Sequence, residues 1–168
     1  MQKVLPFLVL LFISIFSFAS PNEQAEYEKL SRTIGMYLLK GTVKEFTKEF
    51  VPTKKDVLEL AYQKKAKEVP VAERLGFYNT ITPTTDHLEQ NHFLAFNFLQ
   101  YKLKKEGISE LESIEVNSIQ DEAFGKANVK NIVFTINGNG KSFKIEVTGA
   151  YMTSRGWIVM GDIAPSYF

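Results

Sequence analysis

Asp86, Glu89 and His92 stand at i, i+3 and i+6 on one segment, the closest approach in this sequence to a set of groups that does chemistry together. Glu89 and His92 have the Glu-x-x-His spacing with which paired helices hold carboxylate-bridged metals. Such a centre needs a matching pair on a second helix. The chain has two histidines, His87 and His92, and their five-residue spacing puts them on different sides of a helix. No metal site is expected, and the two acids read as first-turn residues complementing a helix dipole. His92 is a separate matter, because it interrupts an apolar face between Leu88 and Phe96. A half-buried imidazole there is a candidate proton carrier or ligand donor near neutral pH. The plainer alternative is a hydrogen-bonded core histidine, favoured because the sequence places no nucleophile or paired acid beside it.

Other motifs exclude more than they offer. Gly140-Lys141-Ser142 imitates the end of a phosphate-binding loop, but the first glycine of that motif would fall at Thr135. The segment after Ser142 is strand-like, where the motif needs a helix N-terminus facing the anion, so a hairpin turn is expected. Ser154 sits in no Gly-x-Ser-x-Gly elbow. Zero cysteines exclude thiolate catalysis, an iron–sulfur centre, a Cys-type zinc site and disulfides. Twenty basic against 19 acidic residues leave no electrostatic footprint for nucleic acid. Lysines 54, 55, 64, 65 and 67 are interleaved with Asp56, Glu59 and Glu68, the pattern of a solvated helix face. No cofactor is expected.

The elements that must position these residues fall into two halves. Tyr27, Leu30, Ile34, Tyr37 and Leu38 draw one stripe on a helix from Glu23 to Lys40, ended by Gly41. Thr42 to Glu45 fits a capping box opening a short helix with Val43, Phe46 and Phe50 inward, stopped by Pro52. Thr53 caps a third helix carrying Val57, Leu58 and Ala61 and bounded by Pro70. One or two helical turns over Val71–Tyr78 and a loop to Pro83 follow. The longest helix is capped by Thr84 or Thr85 and runs to about Lys105. Leu88, His92, Ala95, Phe96, Leu99 and Leu103 share one of its faces, and Phe93, Phe98 and Tyr101 widen the aromatic surface so far that cover on more than one side is expected.

After Gly107 the period becomes two. Glu110–Ile119, Asn128–Asn137, Lys141–Met152 and Gly156–Ile163 read as four antiparallel strands, the middle pair joined by Asn137-Gly138-Asn139-Gly140. Helices first and strands afterward predict a single α+β domain, with the helices packed on one face of a curved four-stranded sheet.

At the N-terminus, Lys3, an apolar run from Val4 to about Phe16, and Ser17 and Ala19 at the −3 and −1 positions have the order of a signal peptide. Residues 1–19 are expected to be removed, leaving 20–168 as an exported domain, periplasmic or secreted, with no later membrane span. Loss of Lys3 leaves that domain formally neutral.

With three N-terminal helical segments, a long helix and a meander containing Gly140–Val147 and the closing Arg155-Gly156-Trp157-Ile158-Val159-Met160-Gly161-Asp162, the chain resembles the NTF2-like, cystatin-like α+β superfamily, and in particular its small exported bacterial members. The resemblance implies a bent sheet wrapped around the long helix as a cone, its interior either a ligand pocket or filled. Members include enzymes and binding modules, and fold alone does not choose between them. No enzyme-branch motif matches residue by residue. The expectation is a non-enzymatic domain binding a small apolar molecule or a protein, with Phe96, Tyr101, Phe134, Tyr151 and Trp157 as candidate ligand-binding residues and a homodimer through the sheet face as one mode of partnership. The alternative is an isomerase-, dehydratase- or hydrolase-type enzyme with His92 in the pocket.

Overall fold

The computed structural model describes residues 21–61, 85–124 and 127–167. Helices α1 (Pro21–Lys40), α2 (Val43–Phe50), α3 (Lys54–Ala61) and α4 (Thr85–Glu106) precede strands β1 (Ser113–Phe124), β2 (Ala127–Gly138), β3 (Lys141–Thr153), β4 (Gly156–Val159) and β5 (Ile163–Pro165). The expectations for Pro70, for Val71–Tyr78, for the loop to Pro83 and for a Thr84 cap lie outside the described residues, and Thr85 is the first helical residue of α4.

Local chemistry sets the helix ends. Thr42 and Glu45 close the capping box of α2, the Thr42 N–H donating to the Glu45 carboxylate at 2.9 Å. Thr53 and Asp56 repeat the device on α3, with the Thr53 N–H donating at 2.8 Å and the Asp56 N–H returning to the Thr53 hydroxyl at 3.3 Å. Helix α4 stops at Gly107, whose φ of 77° admits a left-handed cap. There the Ile108 N–H reaches back to the Leu103 carbonyl and the Gly107 N–H to that of Lys104, satisfying the last turn.

The sheet is antiparallel in the order β1-β2-β3-β4, with β5 also on β3. Asn139 (φ 54°) and Gly140 (φ 70°) make the two-residue turn between β2 and β3. Val116, Phe134 and Ile145 lie abreast on the inner face, where α1, α2 and α4 supply Leu30, Ile34, Phe46, Phe96 and Leu99 to one core.

Three expectations are corrected. The first strand starts at Ser113 instead of Glu110, because the Ser109 and Glu110 N–H groups bind the Asn139 side chain and hold that stretch against the turn. The last strand is two strands, so the sheet has five. Gly149 takes φ 67°, and a Cβ on it would sit 2.9 Å from the Gly161 nitrogen, while a Cβ on Gly161 would run into the Thr148 hydroxyl and carbonyl. The two glycines let the backbones of β3 and the edge strand kink together, with the Met160 N–H still donating to the Gly149 carbonyl.

The helices also do not share one face. Along β4, Trp157 and Val159 join the main core, whereas Ile158 and Met160 turn the other way and pack with Tyr151 against Val57 and Leu60 of α3. Helix α3 therefore covers the outer side of the β3–β4 hairpin.

Candidate functional site

His92 is 1% exposed, between α2 and α4, its ring 6.4 Å from that of Phe46. Its Nδ1 lies 2.7 Å from the Leu88 carbonyl, which can only accept, so Nδ1 carries the proton and Nε2 is the bare nitrogen. Nε2 has no hydrogen-bond partner among the described residues. Burial lowers the pKa of the ring; the Leu88 carbonyl and the charge of Asp162 pull the other way without reversing it. His92 is thus a neutral core histidine on the helix face the sequence assigned to it. Glu89 and His87 are exposed on other sides of α4, the side chain of Asp86 lies outside the described residues, and no cluster of metal-ligating side chains occurs among those described.

The five candidate binding residues do not converge. Phe96 and Phe134 are core, 2% and 0% exposed, and the Phe46 ring packs tilted against Phe96 at 5.0 Å. Tyr151 belongs to the small cluster under α3. Tyr101 points to solvent at 61% exposure, and Phe93 and Phe98 are exposed too, which corrects the expectation that α4 is covered on several sides.

Trp157 alone of the five lines one of the described cavities. It is half-buried, with its ring 5.4 Å from that of Tyr27, and its indole N–H has no acceptor among the described residues. With Leu30, Phe50 and Met152 it floors a cavity of ≈ 250 Å³ between α1, the end of α2 and the β3–β4 hairpin. Glu26, Lys29 and Glu49 form its charged rim. The Thr33 hydroxyl, also at the rim, donates to the Lys29 carbonyl at 2.8 Å and is paired with no base. An apolar floor with a mixed-charge rim suits retention of a small apolar or amphiphilic molecule.

A bracket that local patterning does not reveal fixes this cavity. From the β3–β4 turn, the Arg155 guanidinium donates to the carbonyls of Lys48, Glu49 and Val51 at the end of α2, and to the Asp56 carboxylate at 3.0 Å. Ser154 adds a backbone and a hydroxyl bond to Glu59. Burial works to raise the Asp56 pKa, but the hydrogen bonds from Arg155 and Thr53 outweigh it and hold the carboxyl below its ordinary value. Asp56 and Glu59 are therefore not the solvated face they resemble in sequence: Asp56 is 1% exposed. The one local signal was the Thr53–Asp56 capping box.

No protein-family model, curated protein or solved structure matches this chain.

Proposed function

We propose that this chain is an exported, non-enzymatic binding domain that holds a small apolar molecule against Trp157. The observation that carries this reading is the cavity floored by Leu30, Phe50, Met152 and Trp157, with its walls braced by Arg155. The order Lys3, apolar run, Ser17-x-Ala19 supports export. Kinship with the NTF2-like superfamily belongs to the same proposal; helices followed by a kinked antiparallel sheet support it, together with the Gly140–Val147 and Arg155–Asp162 segments.

Catalysis at His92 is the weaker reading, since its Nδ1–H is committed to Leu88 and the ring is buried beside Phe46. Pairing through the sheet face is weaker too. Val133 apart, the outer face carries Glu115, Asn117, Thr135, Lys144 and Glu146, which is not an apolar patch.

Because Trp157 is the single tryptophan, its emission reports the site directly. Titration with a panel of small apolar and amphiphilic compounds should give a saturable spectral shift for at least one of them. Met152→Arg, at a side chain 41% exposed on the cavity wall, should weaken that binding about tenfold or more while leaving the urea midpoint nearly unchanged. No saturable shift across the panel, or binding indifferent to Met152→Arg, would remove the basis for this function.

A further inference from the structure

Of the seven large apolar side chains exposed among the described residues, four lie on α4: Phe93, Leu94, Phe98 and Tyr101, with Leu94 and Tyr101 more than 60% exposed. Leu94, Phe98, Tyr101 and Lys105 follow one another at i, i+4, i+7 and i+11, a single outward stripe opposite the Leu88, His92, Phe96, Leu99 and Leu103 face. From Leu94 to Lys105 the charges on the stripe are of one sign. Positions 94, 97, 98, 101, 102 and 105 hold no carboxylate, with Lys102 and Lys105 among them and Lys104 beside them, while Glu89 borders Phe93 and Leu94 at the N-terminal end. The Lys102 ammonium lies over the Phe98 ring at 5.3 Å, so cation and aromatic form one surface.

A second copy of this chain complements that surface poorly, because its own stripe brings two lysines with Glu89 only at the border. The partner must supply the negative charge. Aliphatic and aromatic side chains interleaved with lysines along one helix side are the composition of a helix that lies at a headgroup interface. We propose that α4 docks on an anionic phospholipid surface, lying in the plane of the headgroups, with Leu94 and the rings entering the interface and the lysines neutralising phosphates. This is attachment without crossing: no helix among the described residues is long and apolar enough to span a bilayer.

The test is co-sedimentation of the protein as recovered after export, its N-terminus checked by mass spectrometry because residues 1–19 would themselves enter lipid. Vesicles containing phosphatidylglycerol should bind it, and pure phosphatidylcholine vesicles should bind it at least about tenfold more weakly. Leu94→Ser with Phe98→Ser should lower binding to the anionic vesicles about tenfold or more. Lys102→Gln with Lys105→Gln should lower it about tenfold and remove most of its salt dependence. All four positions face outward, so thermal unfolding should stay put, and the lysine pair keeps the test intact if the serine pair does not fold. Met152→Arg should leave vesicle binding unchanged, separating this surface from the Trp157 cavity. Equal binding to both vesicle types, no binding, or binding insensitive to both pairs overturns the proposal. So does a sedimentation-velocity dimer that the serine pair dissolves while vesicle binding persists.

Discussion

A buried ring nitrogen with no hydrogen-bond partner among the described residues makes His92 a pH-dependent element of stability. Below about pH 6.5 the unfolded chain protonates this histidine, whereas the folded ring, its pKa lowered chiefly by burial, takes up the proton only at lower pH. Between those two values the unfolded state binds more protons, so stability falls as pH falls. The urea midpoint should decline from pH 7 to pH 5, and His92→Phe should remove the part of the decline due to this site. An NMR titration in which the His92 ring protonates near the unperturbed value would contradict it. The side of α4 that carries His92 was legible from Leu88 and Phe96. The bare Nε2 was not, since nothing in sequence says which carbonyl takes the other ring proton.

Between elements, the decisive contact is Arg155, which joins the end of α2, the start of α3 and the β3–β4 turn. Its partner Asp56 is 99 residues away in sequence, so no pattern of spacing marks the pair. Replacing Arg155 with Ala leaves a buried carboxylate without its cation and three helix-end carbonyls without their donor. With Arg155 one-third exposed, screening reduces the usual cost of breaking a buried pair, and a loss of about 2 kcal/mol is expected from urea unfolding at neutral pH. Asp56 has a depressed folded pKa, so its contribution is present above the unfolded value of about 3.9 and is lost as pH falls through the folded one. Arg155→Ala should therefore also flatten the acid limb of the stability profile. If the variant keeps both the wild-type midpoint and its acid limb, the bracket does not stabilise the fold. The caps at Thr42 and Thr53 were readable because a capping box closes within four residues.

For the whole molecule, the contrast between Phe134 and Tyr101 measures how the interior is arranged. Phe134 is fully buried at the centre of the sheet, and Phe134→Ala should cost about 3 to 5 kcal/mol. Tyr101→Ala removes an equally aromatic residue from an exposed helix side and should shift stability by no more than about 0.5 kcal/mol. Similar losses in denaturant titrations would show that the inside and outside of α4 and β2 are misassigned. Sequence alone determined the helices-then-strands order, the α1 stripe, the capped starts of α2 and α3, and the Asn139-Gly140 hairpin, because periodicity, caps and turn residues act within a few positions of the chain. Tertiary structure decided the rest: that α3 crosses to the outer face, that Asp56 is buried, that the edge strand breaks at Gly161, and that among the candidate aromatics Trp157 meets a cavity while Tyr101 meets solvent. Those outcomes depend on which distant surfaces meet, and an aromatic residue has the same apolar character in sequence whether the fold packs it or leaves it out.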